Sequence, residues 1–129
     1  MEVFVKTIKV KQEDLDQLQY VNNVRYVQWV QDIAEAHWLK NASDEILNQY
    51  FWVLLSHHID YKSPAVLDDT IRIETFVEQS EGVTSIRKVN MYNDSTDKLL
   101  VTSTTKWCFM SKDTLRPTRI TQEIAGLFN

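Results

Sequence analysis

The sequence predicts an α+β fold in which a curled antiparallel sheet of about five strands wraps around one long central helix. Apolar residues recur at helical spacing in only one long segment, and segments with apolar residues at every second position follow it. The connections between those later segments are too short for the helical crossovers that a parallel sheet requires. With 43% hydrophobic and 25% charged residues, the chain has the composition of one globular unit, so a single domain over residues 1–129 is expected.

A strand and the long helix are the first two predicted elements. Residues 3–10 alternate apolar and polar side chains, which is typical of a strand. A loop is expected over residues 13–20, followed by Asn22 and Asn23, whose side chains suit a helix N-cap. The helix should run to about Lys40, because apolar side chains recur every three or four residues: Val24, Val27, Val30, Ala34 and Trp38.

Four further strands are predicted over residues 51–61, 71–78, 84–92 and 99–110. In the first of them, a strict period of two places one set of apolar side chains on a common face: Val53, Leu55, Ile59 and Tyr61. Turn signals separate the strands, including Gly82 and the Asn93-Asp94 pair. A short helix over residues 121–128, capped by Thr121, is expected to close the chain.

Two known arrangements fit one strand, a long helix and four antiparallel strands. One is the hotdog fold, in which the sheet wraps the helix, and the other is the cone of cystatin-like or NTF2-like proteins. The single strand before the helix favours the hotdog fold, although periodicity alone does not decide between them.

Charge and composition disfavour several functions. The net charge of −4 and the scattered basic residues argue against binding to nucleic acid. No apolar run is long enough for a membrane span or a signal peptide, and the lone Cys108 has no disulfide partner, so a cytoplasmic location is expected. No metal site is predicted, because the adjacent His57 and His58 must point to opposite faces of a strand.

The segment before the long helix is the most informative for chemistry. Asp14 and Asp16 stand in a loop a few residues before the predicted helix start. Unpaired N–H groups and the positive end of the helix dipole make such a start an anion site, where a thioester carbonyl would be polarised. A nearby carboxylate could activate water or attack the carbonyl directly. The alternative is structural, since loop Asp residues also organise turns and cap helices.

Two parts of the chain resemble the 4-hydroxybenzoyl-CoA thioesterase-like hotdog family, which includes bacterial acyl-CoA thioesterases and plant acyl-ACP thioesterases. The first is the Asp14-x-Asp16 pair followed by Val21-Asn22-Asn23-Val24-Arg25-Tyr26. The second is Ile59-Asp60-Tyr61-Lys62-Ser63-Pro64 followed by Asp68-Asp69-Thr70-Ile71, which is similar to the strand, proline turn and acidic strand entry of the family. Together these segments and the element order cover most of the chain.

The resemblance implies an enzyme that hydrolyses acyl-CoA to free acid and CoA. It implies that Asp16 is the catalytic carboxylate, that the backbone amide of Asn23 forms the oxyanion site, and that Tyr26 lies beside them near the acyl group. The acyl-ACP enzymes have Asn and His two and four residues after the catalytic Asp, where this chain has Leu18 and Tyr20.

CoA would enter as part of the substrate, and no separate cofactor is expected. A polyanionic carrier needs local positive charge, which five basic residues of the later strands and their flanking loops could supply: Arg87, Lys88, Lys112, Arg116 and Arg119. A chain of this size has little room for a deep private pocket, and the resemblance implies a homodimer or homotetramer with sheets joined edge to edge.

Three alternatives stay open at the level of sequence. Hydrolysis of acyl-ACP would keep the chemistry and change the carrier. A non-catalytic hotdog protein that binds an acyl ligand would fit the Leu18 and Tyr20 departures. Finally, a different hotdog subgroup uses an acid on the helix as its base, which would assign that role to Asp32 or Glu35.

Overall fold

The computed structural model describes all 129 residues and shows one five-stranded antiparallel sheet with three helices. In chain order the elements are β1 (Phe4–Lys9), α1 (Asn23–Asn41), α2 (Asp44–Gln49), β2 (Tyr50–Tyr61), β3 (Thr70–Glu81), β4 (Thr84–Asn93), β5 (Leu99–Ser111) and α3 (Gln122–Gly126). The strand order across the sheet is β1-β3-β4-β5-β2, so β1 and β2 form its two edges. No helix is both long enough and apolar enough to cross a membrane.

The predicted architecture is confirmed, and most element boundaries lie within a few residues of those predicted. Asn22 caps α1 as expected, because its side chain accepts a hydrogen bond from the backbone N–H of Val24. The short helix α2 was missed. Ser43 caps it by accepting from the N–H of Ile46, but its six residues are too few to show a helical period.

A β-bulge in β2 corrects one prediction about side-chain direction. The pairing of β2 with β5 shifts between Leu54 and Ser56, so one extra residue, Leu55, interrupts the alternation. Ile59 points inward as predicted, whereas Val53 and Leu55 are exposed at 39% and 53%. The predicted common face was therefore wrong, and this edge strand presents apolar side chains to solvent.

Helix α1 lies against the inner face of the sheet and contributes to two apolar clusters. Its N-terminal half packs Tyr26, Val30 and Ile33 into a cluster of 12 buried residues, several of which come from the central strands. Its C-terminal half supplies Trp38 to a second cluster of six, in which Phe109 of β5 is 1% exposed. Deleting large side chains from such clusters typically costs about 3–5 kcal/mol, so this helix is held firmly along its length.

A buried polar network joins these two clusters. His37 of α1 is fully buried between the rings of Phe4 and Phe128, both centred 4.9 Å from its own ring. The Nη1 of Arg87 donates to His37 Nδ1 at 3.0 Å and lies 3.0 Å from Thr75 Oγ1. His37 Nε2 lies 2.6 Å from Glu2 Oε1, so the network also ties down the N-terminal segment.

The hydrogen bonds of His37 define its protonation. Because Nδ1 accepts from Arg87, the proton of the neutral ring lies on Nε2, which donates to Glu2. Burial lowers the pKa of His37, against the opposing hydrogen bond to Glu2, and so favours this neutral form. Protonation of Nδ1 would direct an N–H at the guanidinium of Arg87 and break the network.

We predict that the free energy of unfolding falls as the pH drops below about 6.5, the usual pKa of an unfolded histidine. Between that value and the lowered pKa of His37, the unfolded chain binds a proton that the folded protein does not. His57, whose pKa is also lowered by burial, adds to the same trend. Urea denaturation at about pH 7.5 and pH 5.5 measures the difference.

His37→Gln should lose a large part of this pH dependence, whereas His58→Gln, altered at a side chain 76% exposed, should retain it. If the free energy of unfolding depends on pH equally in the wild type and in His37→Gln, His37 is not the source of the pH dependence.

Candidate active site

The loop before α1 is a tight turn closed by backbone hydrogen bonds. The N–H of Asp16 donates to the carbonyl of Tyr20 at 2.7 Å, and an isolated antiparallel bridge joins Leu15 to Val21. Gln19 has a φ of 66°, in the left-handed region, which lets the chain reverse within this short span. The turn therefore projects from the start of α1 as a compact unit.

Asp14 anchors this turn to the helix. It is 4% exposed, and its Oδ2 accepts from the backbone N–H of Lys11 at 2.9 Å. Its Oδ1 accepts from Arg25 Nε at 2.7 Å, while its backbone carbonyl accepts from the N–H of Asn22 at 2.8 Å. With both carboxylate oxygens occupied inside the protein, Asp14 has a structural position rather than a catalytic one.

Asp16 uses only one of its two carboxylate oxygens to hold the loop. Its Oδ1 accepts from the backbone N–H groups of Leu18 at 2.9 Å and Tyr20 at 3.2 Å. Its Oδ2 accepts no hydrogen bond from the protein, and no Lys, Arg or His nitrogen lies within 4.0 Å of the carboxylate. The structural and catalytic interpretations of Asp16 are thus compatible, because the fold fixes one oxygen and leaves the other free to react.

The first turn of α1 leaves one backbone donor available. Asn22 satisfies two of the first amides, since its Oδ1 accepts from Val24 N at 3.0 Å and its carbonyl accepts from Arg25 N at 2.9 Å. The N–H of Asn23 has no acceptor in the protein, and the residue is exposed. A free donor at the positive end of a 19-residue helix is suited to an oxygen that gains negative charge.

A broad, open depression of about 770 Å³ lies over this turn, and its lining includes Asp16, Leu18 and Asn22. A more sheltered cavity lies elsewhere, under the C-terminal half of α1, and its lining includes neither Asp16 nor Asn23. In the single chain the candidate chemistry is therefore on an open surface. A ligand bound there would be covered by this chain on one side only.

Tyr26 does not join Asp16 and Asn23 at this surface. It is 3% exposed, and its ring packs against Trp29 and Tyr61 at centroid distances of 5.6 and 5.8 Å. The hydroxyl is enclosed with no hydrogen-bond partner, and burial raises its pKa to about 12. The structure thus places Tyr26 in the core beneath the site, where it supports the start of α1, and its predicted position at the reacting group is wrong.

The five basic residues predicted to bind CoA phosphates do not come together. Arg87 is 5% exposed and points inward, so its assignment as a surface phosphate ligand is wrong. Lys88 lies on the opposite face of β4, where its Nζ donates to Thr104 at 2.7 Å. Lys112, Arg116 and Arg119 are exposed in the segment that follows β5.

The alternation of β4 contained the signal that Arg87 is buried. Positions 85, 87, 89 and 91 share one face, and the apolar side chains of Val89 and Met91 indicate that this face is internal. His37 was detectable in the same way, because it follows Val30 and Ala34 at helical spacing. The two acids on the helix lie apart from Asp16: Asp32 accepts from Gln28 at 2.8 Å, and Glu35 borders the cavity under the C-terminal half of α1.

Residues 1–128 match the family model of the acyl-ACP thioesterase N-terminal domain. Among curated proteins, the long-chain acyl-CoA thioesterase FadM of Escherichia coli is 33% identical over 84 residues, which are 61% of this chain and 61% of FadM. The chloroplastic oleoyl-acyl carrier protein thioesterase 2 of Arabidopsis thaliana is 39% identical over 75 residues, which are 57% of this chain and 20% of that enzyme. The chain thus spans less than two thirds of either relative.

A solved structure confirms the hotdog arrangement. The 1,4-dihydroxy-2-naphthoyl-CoA thioesterase Slr0204 from Synechocystis superposes with a TM-score of 0.84, covering 98% of this chain and 96% of that one. The sequence identity is 14%, so the likeness is one of fold. It settles the choice that the element order had left between the hotdog fold and the cystatin-like cone.

We predict that Asp14→Ala lowers the free energy of unfolding by about 1–3 kcal/mol, because it leaves the Lys11 N–H and the Arg25 guanidinium without their acceptor. Glu13→Ala, an exposed acid in the same turn, is the matched control and should change stability little. Chemical denaturation of the two variants measures the difference. Equal stabilities would show that the Asp14–Arg25 pair does not anchor the loop.

Proposed function

We propose that this chain, which belongs to the family of the acyl-ACP thioesterase N-terminal domain, hydrolyses acyl-CoA to a free acid and CoA. The observation that most supports this is the pairing of two free groups on adjoining parts of the loop and helix: Asp16 Oδ2 and the N–H of Asn23. One is a base or nucleophile, and the other is a donor for the carbonyl oxygen. Neither group has a structural partner that it must leave in order to act.

In the proposed reaction the thioester carbonyl oxygen accepts a hydrogen bond from the N–H of Asn23. Asp16 removes a proton from a water molecule as its oxygen attacks the carbonyl carbon, or attacks that carbon itself and is released by water in a second step. The C–S bond then breaks, and the CoA sulfur leaves as thiolate and takes up a proton. The negative charge of the intermediate falls on the carbonyl oxygen, where the helix dipole stabilises it.

This chain has Leu18 and Tyr20 at two positions where the plant enzymes differ, and the backbone of this loop compensates for that difference. Where those enzymes carry Asn and His side chains, Leu18 and Tyr20 contribute their backbone N–H groups, both of which donate to Asp16 Oδ1. Backbone donors fix the carboxylate without a histidine. We infer that Asp16 works here without a side-chain partner.

Acyl-CoA is the proposed substrate because the curated bacterial relative is described as an acyl-CoA thioesterase. Lys112, Arg116 and Arg119, exposed together after β5, are the proposed contacts for the CoA phosphates. Acyl-ACP is the alternative carrier, consistent with the plant relative. A cytoplasmic location is part of the proposal and fits the single free thiol at Cys108.

Edge strand β2 is the proposed interface of a homodimer. It is 12 residues long and carries the exposed Val53 and Leu55, whereas the other edge, β1, is half as long and carries Lys6 and Lys9. If β2 pairs with its copy about a two-fold axis, the Tyr50 end of one strand lies beside the Tyr61 end, the far end, of the other. Since that far end packs near the start of α1, the partner subunit would supply a wall over Asp16. Pairing of two dimers into a homotetramer is the alternative.

We predict that Asp16→Asn lowers kcat about 10²–10⁴-fold, because it removes the basic lone pair while keeping the shape of the side chain. Thiol release from a panel of acyl-CoA and acyl-ACP esters measures the loss and identifies the carrier. Glu13→Gln is the matched control, an exposed acid three residues away that should keep native turnover.

Two results would contradict this proposal. Near-native activity of Asp16→Asn, with loss of activity in Asp32→Asn or Glu35→Gln, would move the base to the helix. A folded wild-type protein that hydrolyses no ester of the panel would establish the binding-only alternative.

We predict that the double variant Val53→Lys, Leu55→Lys is monomeric and less active. Lysines on an edge strand oppose its pairing with the same strand of a second copy. Light scattering at low micromolar concentration gives the mass. Val66→Lys, a similar change at a 43% exposed residue outside the strands, should leave both mass and activity unaltered. A monomeric wild-type protein with full turnover would contradict the shared site.

A further inference from the structure

The half-open cavity under the C-terminal half of α1 has a volume of about 410 Å³, within the range of small-molecule binding sites. Ten of its 15 lining residues are hydrophobic. The walls come from α1, from the start of β2 and from the inner face of β3, β4 and β5. Such a space suits an apolar chain.

Arg87 introduces a positive charge into this apolar cavity. Its Nη1 is occupied by His37 and Thr75, while its Nε and Nη2 have no acceptor in the protein. The hydroxyl of Tyr26 is the one fully enclosed side-chain polar atom without a partner, so Nε and Nη2 both reach accessible space. The residue is only 5% exposed and lines this cavity, which is therefore where the free donors point.

No carboxylate of the protein neutralises this guanidinium. No Asp or Glu oxygen lies within 4.0 Å of it, and its two hydrogen-bond partners, His37 and Thr75, are both uncharged. Burial lowers the pKa of Arg87 to about 10, which still leaves it charged at neutral pH. A buried cation with free donors and no anion is costly unless a ligand supplies the anion.

The lining of the cavity includes two further charged residues, one of each sign. Glu35 of α1 and Lys112 after β5 both line it, and Lys112 Nζ is already bonded to the carbonyl of Leu47 at 2.7 Å. The inner end, at Arg87, is the part with an uncompensated positive charge.

We propose, on the basis of the thioester hydrolysis proposed above, that this cavity receives the far end of the acyl group and that Arg87 binds a carboxylate there. The preferred substrates would then be half-thioesters of dicarboxylic acids, with CoA at one end and a free carboxylate at the other. Arginine binds carboxylates through two parallel N–H donors, and Arg87 has Nε and Nη2 free for that geometry.

The proposed dimer places this cavity within reach of a reacting thioester. Tyr50 and Trp52, at the start of β2, line the cavity. Two-fold pairing of the β2 edges brings this end beside the partner subunit's helix start, where the thioester would bind. An acyl chain could then enter between the subunits, with its far end directed toward Arg87.

The first test compares dodecanedioyl-CoA with dodecanoyl-CoA in the wild-type protein. The two esters differ only in the terminal carboxylate, and kcat/KM should favour the first about tenfold or more. Equal or lower kcat/KM for the carboxylate-ended ester would overturn the proposal, even though hydrolysis of both would support the thioesterase function.

The variant Arg87→Gln tests whether Arg87 causes the preference for the carboxylate-ended ester. Arg87→Gln should remove the preference by raising KM for the carboxylate-ended ester, while hydrolysis of dodecanoyl-CoA continues. Lys106→Gln, which removes a positive charge from an exposed side chain of β5, should preserve the preference. A preference unchanged in Arg87→Gln would exclude Arg87 as the determinant. If Arg87→Gln does not fold, the wild-type comparison alone decides.

A binding measurement separates this inference from the proposed reaction. Trp38, Trp52 and Trp107 line the cavity, so its occupation should change the tryptophan fluorescence. Dodecanoic acid, whose carboxylate can bind Arg87, should bind about tenfold or more tightly than dodecan-1-ol, which has no carboxylate, in the wild type. If no thioester is hydrolysed but this difference is observed, the reaction is wrong and the cavity assignment stands; equal affinities would overturn the cavity assignment.

Discussion

The half-buried ion pair between Asp14 and Arg25 is the interaction on which the candidate site depends. It joins the turn that holds Asp16 to the first turn of α1, with a distance of 2.7 Å between Asp14 Oδ1 and Arg25 Nε. A carboxylate on a free loop would sample many positions, whereas catalysis requires placement to within a fraction of an ångström. The pair thus holds the backbone of the turn against the start of α1, while Asp16 itself remains partly exposed.

Most of the fold was predictable from local patterns. The period of two located all five strands, one before the long helix and four after it. The 3.6-residue period located the helix itself, and Asn22 was correctly identified as its cap. Asp16 and Asn23 came from a motif in which both groups are close in the chain. Asp16 lies in the turn and Asn23 begins the helix that follows it, so this assignment used local sequence alone, and it stays a prediction.

The parts that could not be predicted depend on contacts between distant segments. The bulge at Leu55 has no composition signal, because it arises from the register of β2 against β5. Tyr26 was assigned to the reacting group because the motif includes it, yet the sheet covers its ring. Arg87 looked like a surface cation, because charged residues are rarely buried. Only the alternation of side chains along β4 indicated that it points inward. Its partners, His37 and Thr75, lie 50 and 12 residues away in sequence.

A structure of the protein with a non-hydrolysable ketone analogue of an acyl-CoA would test the central claim most directly. A ketone analogue retains the carbonyl and replaces the sulfur with carbon. The account predicts that the carbonyl oxygen accepts from the Asn23 N–H and that Asp16 Oδ2, or a water bound to it, lies about 3–3.5 Å from the carbonyl carbon. A carbonyl bound beyond hydrogen-bond reach of Asn23, with Asp16 directed only at its own loop, would contradict it.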